Sequence, residues 1–556
     1  MTSPRDRTAL TGSRAGDGAP PSAPDPSPTR PGAAGGWRAR ARRLIHWRPT
    51  LEQLAVLLLG LLVLLVHDVG YMLRQSFWTD EAWVAVTTRF PLPQTPATTA
   101  SSPIGWSVLV RLVTVSGTQT SRLLPLAFAG AAVVTAYWFA RRIGWRWEGA
   151  SVAAGLAAAL GVLLVPAMLV RDDLKQYTAE AFTALLTLAL TSRLERRWSR
   201  WGLVALSVSV WGGMLFSNAV AFVGVAAFAA VCFIQAVRRA WRRLAEAVVA
   251  GACTGVLMLA VYAAFDARAA AQLNASPYWP HYFLPVRQGL RAGAAFVIQH
   301  FEGVRAYLGL GPWWLAVPLV VAGLVTMVRL GRPATALAVI VLWPEMLLLS
   351  ALKRYPFLDL RTSTFLFTVT VVVAAIGLVG LCSLLRPWLT GWLAAGLAAV
   401  ALVAFALGAQ PYVRSHTIPN EDVRGQTLYV AAHAAPDDVI LVNLASNWGF
   451  AYYWAIGQPA RRFTSADRLQ YVAYFPGQPR IVVASARDRA GVDAALSRAL
   501  AKARQHRCAR IWLIRTHISH GEGPAWTSAL SRQGQSVTRV GPGGLGVIQA
   551  GGPSCQ

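Results

Sequence analysis

Lysine is almost missing from this chain. Of 52 basic residues only Lys175, Lys353 and Lys502 are lysines, and the other 49 are arginines. Acidic residues are scarce too, at 25, and charged residues make up 14% of the sequence against 55% hydrophobic, with mean hydropathy +0.43. So little charge over 556 residues excludes an ordinary soluble protein and indicates a polytopic membrane protein. The net charge of +27 does not mark a nucleic-acid partner, because the basic residues stand in short runs between apolar segments and no nucleic-acid module is present. The arginine skew fits a GC-rich bacterial genome, which makes each surviving lysine informative.

Other absences narrow the chemistry. There is no phosphate-cradling glycine motif, since Gly541–Gly546 opens no helix. His517 and His520 lack further ligands at zinc spacing and read as a surface pair. Of five cysteines, Cys232, Cys253 and Cys382 fall in apolar segments and read as packing residues. Cys508 and Cys555 are expected outside the membrane, where a bridge between them would persist. Ionisable residues inside the apolar segments are few, Glu345 and, near one end, Asp68, and no internal repeat is visible. Both facts count against a transporter or lipid flippase, the alternative class for a chain of this kind.

What is present begins with a leader rich in Pro, Gly, Ser and Ala, so residues 1–48 are expected to be a disordered cytoplasmic tail. Eleven apolar spans follow, at about 51–73, 121–141, 149–170, 178–193, 201–217, 218–237, 244–264, 312–329, 333–352, 363–385 and 388–410. A bilayer crossing takes ~20 apolar residues. Segment 102–117 is short and carries Arg111 in its middle, so it is expected to lie along the surface. With it excluded, the runs Arg141-Arg142, Arg196-Arg197, Arg238-Arg239 and Arg386 all become cytoplasmic. Residues 49–410 then form a transmembrane catalytic domain. Residues 411–556, where short β-rich runs alternate with helical patterns, form an external α/β domain. The fold class expected is an α-helical polytopic membrane protein with a C-terminal external α/β domain. It would lie in the plasma membrane with its N-terminus cytoplasmic.

This topology collects the unusual residues on the external side. Just after the first span comes Phe77-Trp78-Thr79-Asp80-Glu81-Ala82-Trp83, an acidic pair between tryptophans at membrane depth. A second loop holds Arg171, Asp172, Lys175 and Tyr177 and runs into a helix with Glu180. A third, about 265–311, holds His281 and Tyr282, and a fourth contains Lys353, Arg354, Tyr355 and Arg361. Basic residues kept outside against the positive-inside tendency suit an anionic ligand at the outer surface. Glycosyl transfer from a lipid-phosphate sugar needs these groups: a carboxylate to take the proton of an attacking hydroxyl, and cationic or hydroxyl donors for the departing phosphate.

The order and sidedness of these motifs, with Arg122-Leu123-Leu124-Pro125 and Tyr355-Pro356-Phe357…Arg361, resemble the GT-C superfamily of polytopic glycosyltransferases. The nearest likeness is to bacterial protein O-mannosyltransferases and aminoarabinose transferases, over residues 51–420. That resemblance implies Asp80 as general base, with Glu81 beside it in the catalytic pair. It implies donor-phosphate contacts from Lys175, Tyr177, Lys353, Arg354 and Tyr355, with Arg171 and Arg361 in the same loops. Asp172, Glu180, His281 and Tyr282 are candidates for the sugar or acceptor; Glu180 alternatively neutralises Lys175 or favours its helix start. The partners implied are a polyprenyl-phosphate sugar, an acceptor glycan, protein or lipid, and the bilayer. No cofactor is required. A divalent cation on Asp80 with Glu81 or Asp172 is open, since hard cations take oxygen ligands, but no spacing demands one. In the C-terminal region, Asn447-Trp448 and Tyr452-Tyr453-Trp454 are either a carbohydrate-stacking surface or core.

Overall fold

The computed structural model describes residues 50–98, 102–164, 174–267, 279–308, 313–384, 421–463, 471–519 and 521–549. It comprises two compact units, residues 1–54 and 55–556. The sheet and the candidate site belong to the second.

The chain is an α-helical polytopic membrane protein with a sheet-containing C-terminal region. Among the described residues five helices are long and apolar enough to cross a bilayer: Thr120–Arg141, Val220–Val237, Trp241–Asp266, Pro333–Ala351 and Thr364–Leu384. Other expected spans are shorter or interrupted within the described residues. The first is broken into Leu51–Leu61, Val63–Val66 and Val69–Arg74, the last capped by Asp68, whose Oδ1 accepts from the Tyr71 amide at 2.8 Å. Helix Arg200–Gly213 has 14 residues, while Glu148–Leu164 and Trp313–Arg329, 17 residues each, adjoin residues outside the described ones. Tyr177–Arg196 is long enough, but its buried face carries Thr183, Thr187 and Thr191. The segment 388–410 lies outside the described residues. One element was not expected: within 265–311 stands a 19-residue helix, Leu290–Leu308, whose Arg291, His300 and Glu302 interrupt any apolar run.

Two apolar helices pack closely where both lack a side chain. Helix Trp313–Arg329 crosses Thr364–Leu384 at Gly323 and Gly377, where an added Cβ would lie 2.0 Å from the Val373 carbonyl oxygen and 1.9 Å from that of Leu319. In lipid there is little hydrophobic gain from helix association, so such backbone approach supplies the packing. Segment 102–117 contains only the ten-residue helix Ile104–Val113. At ~1.5 Å per residue that is about half the ~30 Å of a hydrocarbon core. Arg111 donates from Nη1 to the Phe90 carbonyl at 2.7 Å instead of lying in lipid.

In the C-terminal region, β1 (Val439–Val442), β4 (Ile481–Val483), β5 (Arg510–Ile514), β6 (Thr538–Arg539) and β7 (Gly546–Gln549) form one sheet in the order β4-β1-β5-β7-β6. A separate antiparallel pair is β2 (Ala460–Phe463) with β3 (Tyr471–Tyr474). β1 runs parallel to both β4 and β5, while β7 is antiparallel to β5 and β6. Side chains alternate across the strands. Val439, Leu441, Ile511 and Leu513 pack under helices Arg489–Ala503 and Glu522–Arg532. Ile440, Val442, Trp512 and Ile514 share the opposite core with Phe77, Ala82, Trp106, Trp448 and Tyr452. The sheet therefore rests directly on the segment that carries the acidic pair.

Candidate active site

Asp80 and Glu81 lie in helix Thr79–Ala85, and neighbouring positions on a helix diverge by about 100°. Their fates differ accordingly. Glu81 is fully buried and faces Arg122, itself 1% exposed. Arg122 Nε donates to Glu81 Oε1 at 2.8 Å and Nη2 pairs with Oε2. The same guanidinium donates to the carbonyls of Met72, Gln75 (2.7 Å) and Ser76 (3.1 Å) and lies 4.9 Å from the Phe77 ring centroid. Glu81 also closes its own helix start by accepting from the Trp78 amide. Arg122 engages both Glu81 oxygens, and through them Glu81 ties the Thr79–Ala85 helix to the Arg122 turn.

Asp80 points the other way. Its Oδ2 accepts from Arg361 Nη1 at 2.7 Å and faces Lys175 Nζ at 3.4 Å; the carboxylate keeps 24% exposure. Burial pushes its carboxyl up, but the two cations and their hydrogen bonds outweigh that and hold it below 3.8. Asp80 is thus ionised at neutral pH, the state a proton acceptor needs. Lys175 is placed by helix Ile104–Val113: Trp106 donates from Nε1 to the Leu174 carbonyl at 3.0 Å, and the Trp106 amide bonds the Leu215 carbonyl at 2.9 Å. Arg361 lies 5.8 Å from the Trp78 ring centroid, a cation–π distance.

The remaining candidates are less concentrated. Lys353, at φ 55°, and Arg354 are exposed, and neither makes an ion pair among the described residues. Tyr355 donates to the Thr362 carbonyl at 2.9 Å and packs edge-on against Phe222, its hydroxyl pushed well above 10.0 by burial. It braces the loop that delivers Arg361. Tyr177 and Glu180 are both buried; Gln176 donates to Glu180 Oε1 at 3.3 Å, and the Asn218 and Ala219 amides face the same carboxylate. His281 is exposed, and Tyr282 supplies its carbonyl to the Phe357 amide at 2.9 Å and to the Ser350 hydroxyl at 3.1 Å. Neither His281 nor Tyr282 bonds Asp80. Arg171 and Asp172 lie outside the described residues, and Cys508 is disulfide-bonded while Cys555 lies outside them.

Two residues reach this site from the C-terminal region, Glu421 and His517; His517, expected as half of a surface pair with His520, is half-buried instead. Glu421 accepts from the Thr79 amide at 3.1 Å and the Thr79 hydroxyl at 3.4 Å, and its other oxygen meets His517 Nδ1 at 2.5 Å. The Glu421 hydrogen bond holds the His517 imidazole above its ordinary 6.5. His517 is 6.2 Å from the Trp78 ring. Conversely Trp448, Tyr452, Tyr453 and Trp454 are buried against the first loop, with Trp83 stacked on Trp448 at 4.9 Å. Tyr453 receives the Phe77 amide at 3.0 Å and Gln119 Nε2 at 2.8 Å, with burial pushing its hydroxyl up to about 12. These aromatics are core, not a carbohydrate platform.

Among the described residues no group of three or more His, Cys, Asp or Glu side chains is placed to hold a metal. No family model matches the sequence, and no curated protein matches it. Solved structures do. ArnT from Cupriavidus metallidurans, in the apo state, aligns with TM-score 0.50 at 14% identity, over 94% of this chain and 100% of that one. An oligosaccharyltransferase from Archaeoglobus fulgidus, solved with zinc and sulfate, aligns at TM-score 0.48 and 14% identity over 83% of this chain and 67% of that one. AglB from the same organism, in complex with an inhibitory peptide and a dolichol-phosphate, gives 0.49 and 13% over 83% and 69%. The likeness to ArnT covers 94% of this chain and all of that one, and this chain shares its fold.

Proposed function

We propose that this protein transfers a sugar from a polyprenyl-phosphate-linked donor to an acceptor hydroxyl on a protein, glycan or lipid at the outer face of the membrane. Residues 49–410 form the catalytic membrane domain in this reading and residues 411–556 the external one, with the N-terminus cytoplasmic. The observation that carries it is the partly exposed Asp80 carboxylate held between Lys175 and Arg361. The acceptor oxygen attacks the anomeric carbon and its proton passes to Asp80. The bond from that carbon to the phosphate oxygen breaks, and the polyprenyl phosphate leaves with the electron pair. Lys175 and Arg361 stabilise the charge it gains. A single displacement inverts the anomeric centre.

Lys175 and Arg361 both meet Asp80 Oδ2. A donor phosphate competes for them, and each cation that turns to phosphate leaves the carboxylate more basic and freer to accept a proton. Donor binding thereby primes the base. Lys353 and Arg354, exposed beside the Arg361 loop, are further phosphate contacts in this reading. Turnover by purified protein tests it: polyprenyl-phosphate hexose or pentose donors should release polyprenyl phosphate in the presence of acceptor. No release from any such donor, together with substrate flux across sealed vesicles, would replace the transferase with a transporter.

A further inference from the structure

His517 has no part in the transfer step, yet it stands at one end of a connected path to Asp80. It follows β5, at the carboxyl end of the parallel pair β1 and β5, where the chain leaves β1 toward β4 on one side and returns to β5 on the other. Such points are where open α/β sheets place functional groups. The loop there is firmly built. Asn443 Nδ2 donates to the Thr516 carbonyl at 3.0 Å and to Glu522 Oε1 at 2.9 Å, and the Thr516 amide donates to Ser446 Oγ at 2.8 Å. His517 itself is held at φ 50°, in the left-handed region. Few residues sit there without reason.

We propose that His517 is a positioning residue of the transfer site: bonded to Glu421 and set against Trp78, it fixes the aromatic face on which Arg361 rests and so sets how that guanidinium meets Asp80. The steps are a 2.5 Å contact from His517 to Glu421, 6.2 Å between the His517 and Trp78 rings, 5.8 Å from Trp78 to the Arg361 guanidinium, and 2.7 Å from Arg361 to Asp80. Glu421 adds a second hold, because it also accepts from Thr79 at the first turn of the Asp80 helix. The charged groups acting on His517 are Glu421 before helix Val423–His433, Asp80 on its own helix, and Arg487 before helix Arg489–Ala503. Two carboxylates against one guanidinium favour the imidazolium, consistent with its elevated titration.

This inference rests on the transfer-site reading, and its test is arranged so that the two can fail separately. A hydrophobic carbodiimide modifies protonated carboxyls, so the midpoint pH of Asp80 modification, followed by peptide mass spectrometry, reports its titration without any need for turnover. In His517→Ala the Arg361 contact loosens, Asp80 loses part of its cationic support, and the midpoint moves to higher pH by about half a unit or more. His517→Asn, which tolerates the positive φ and can still donate to Glu421 but lacks the ring, should move it less. It also serves if the alanine variant does not fold. A role confined to stability would lower the melting temperature and leave the midpoint in place. An unmoved midpoint in both folded variants overturns the proposal even if the protein transfers sugar. A shifted midpoint in a protein that turns over no donor leaves the positioning role standing and removes the transferase reading.

Discussion

Asp80 and Glu81 are adjacent, carry the same charge and do opposite things. Arg122 neutralises Glu81 in a dry pocket, and breaking a buried pair by removing one partner leaves an uncompensated charge, at about 3–5 kcal/mol. Arg122→Ala should therefore lower the detergent melting temperature sharply, whereas Lys353→Ala, exposed and unpaired among the described residues, should leave it unchanged. Asp80 sits in the opposite regime: its carboxyl is depressed below 3.8, so whatever stability its pairs contribute is present above that value and is lost only as pH falls through the lower folded one. The pH profile of kcat/KM should accordingly show no Asp80 limb between pH 5 and neutrality; an acid limb near 5 that vanishes in Asp80→Asn would contradict the ion pairs. His517 runs the other way. Its raised value means that its contribution is complete below 6.5 and fades as pH climbs through the folded value, so amide exchange in residues 76–85 should quicken in mild alkali. Asp80 stood out in the sequence because an acid beside two tryptophans just after an apolar segment is costly to keep without a use. Glu81's partner was legible only as part of a motif, since a separation of 41 residues says nothing about a salt bridge.

The helix Thr79–Ala85 is seven residues long and would not hold its shape alone. Three elements fix it: the Arg122 turn from beneath, Glu421 at its first amide, and helix Asn447–Tyr453 along its side, where Trp448 stacks on Trp83. Glu421→Gln should retain the fold and lose part of this hold, seen as faster exchange at the Thr79 amide. The membrane helices depend on closer contacts. At Gly377 a side chain would collide with the Leu319 carbonyl, so Gly377→Leu should separate helices Trp313–Arg329 and Thr364–Leu384 and abolish a folded monodisperse peak on size exclusion. Apolar run length revealed helices such as Thr364–Leu384, because lipid and the neighbouring helices it packs against both accept apolar side chains. It missed Leu290–Leu308, where charges break the apolar run, and it overstated the first span, where Asp68 caps a new helix and ends the old one. The aromatic run 448–454 was ambiguous for a physical reason: stacking on sugar and stacking on core use the same residues, and only burial separates them.

At the scale of the whole molecule, the C-terminal region is built into the site. Its sheet shares one core with Phe77, Trp106 and Ala82, and its Glu421 and His517 reach the Asp80 helix. A sidedness follows if the site works on an external donor: single cysteines replacing exposed Arg354 and Arg146, in a cysteine-free background, should label from outside at 354 and not at 146. Reversed labelling would place Asp80 on the cytoplasmic face. The central claim is that Asp80 accepts the acceptor's proton, and single-turnover transfer by Asp80→Asn against the native protein, with donor affinity measured in parallel, tests it most directly. The account predicts retained donor binding and a loss of transfer of ~100-fold or more, the scale of general-base catalysis. A folded Asp80→Asn protein that transfers sugar at nearly the native rate would contradict it.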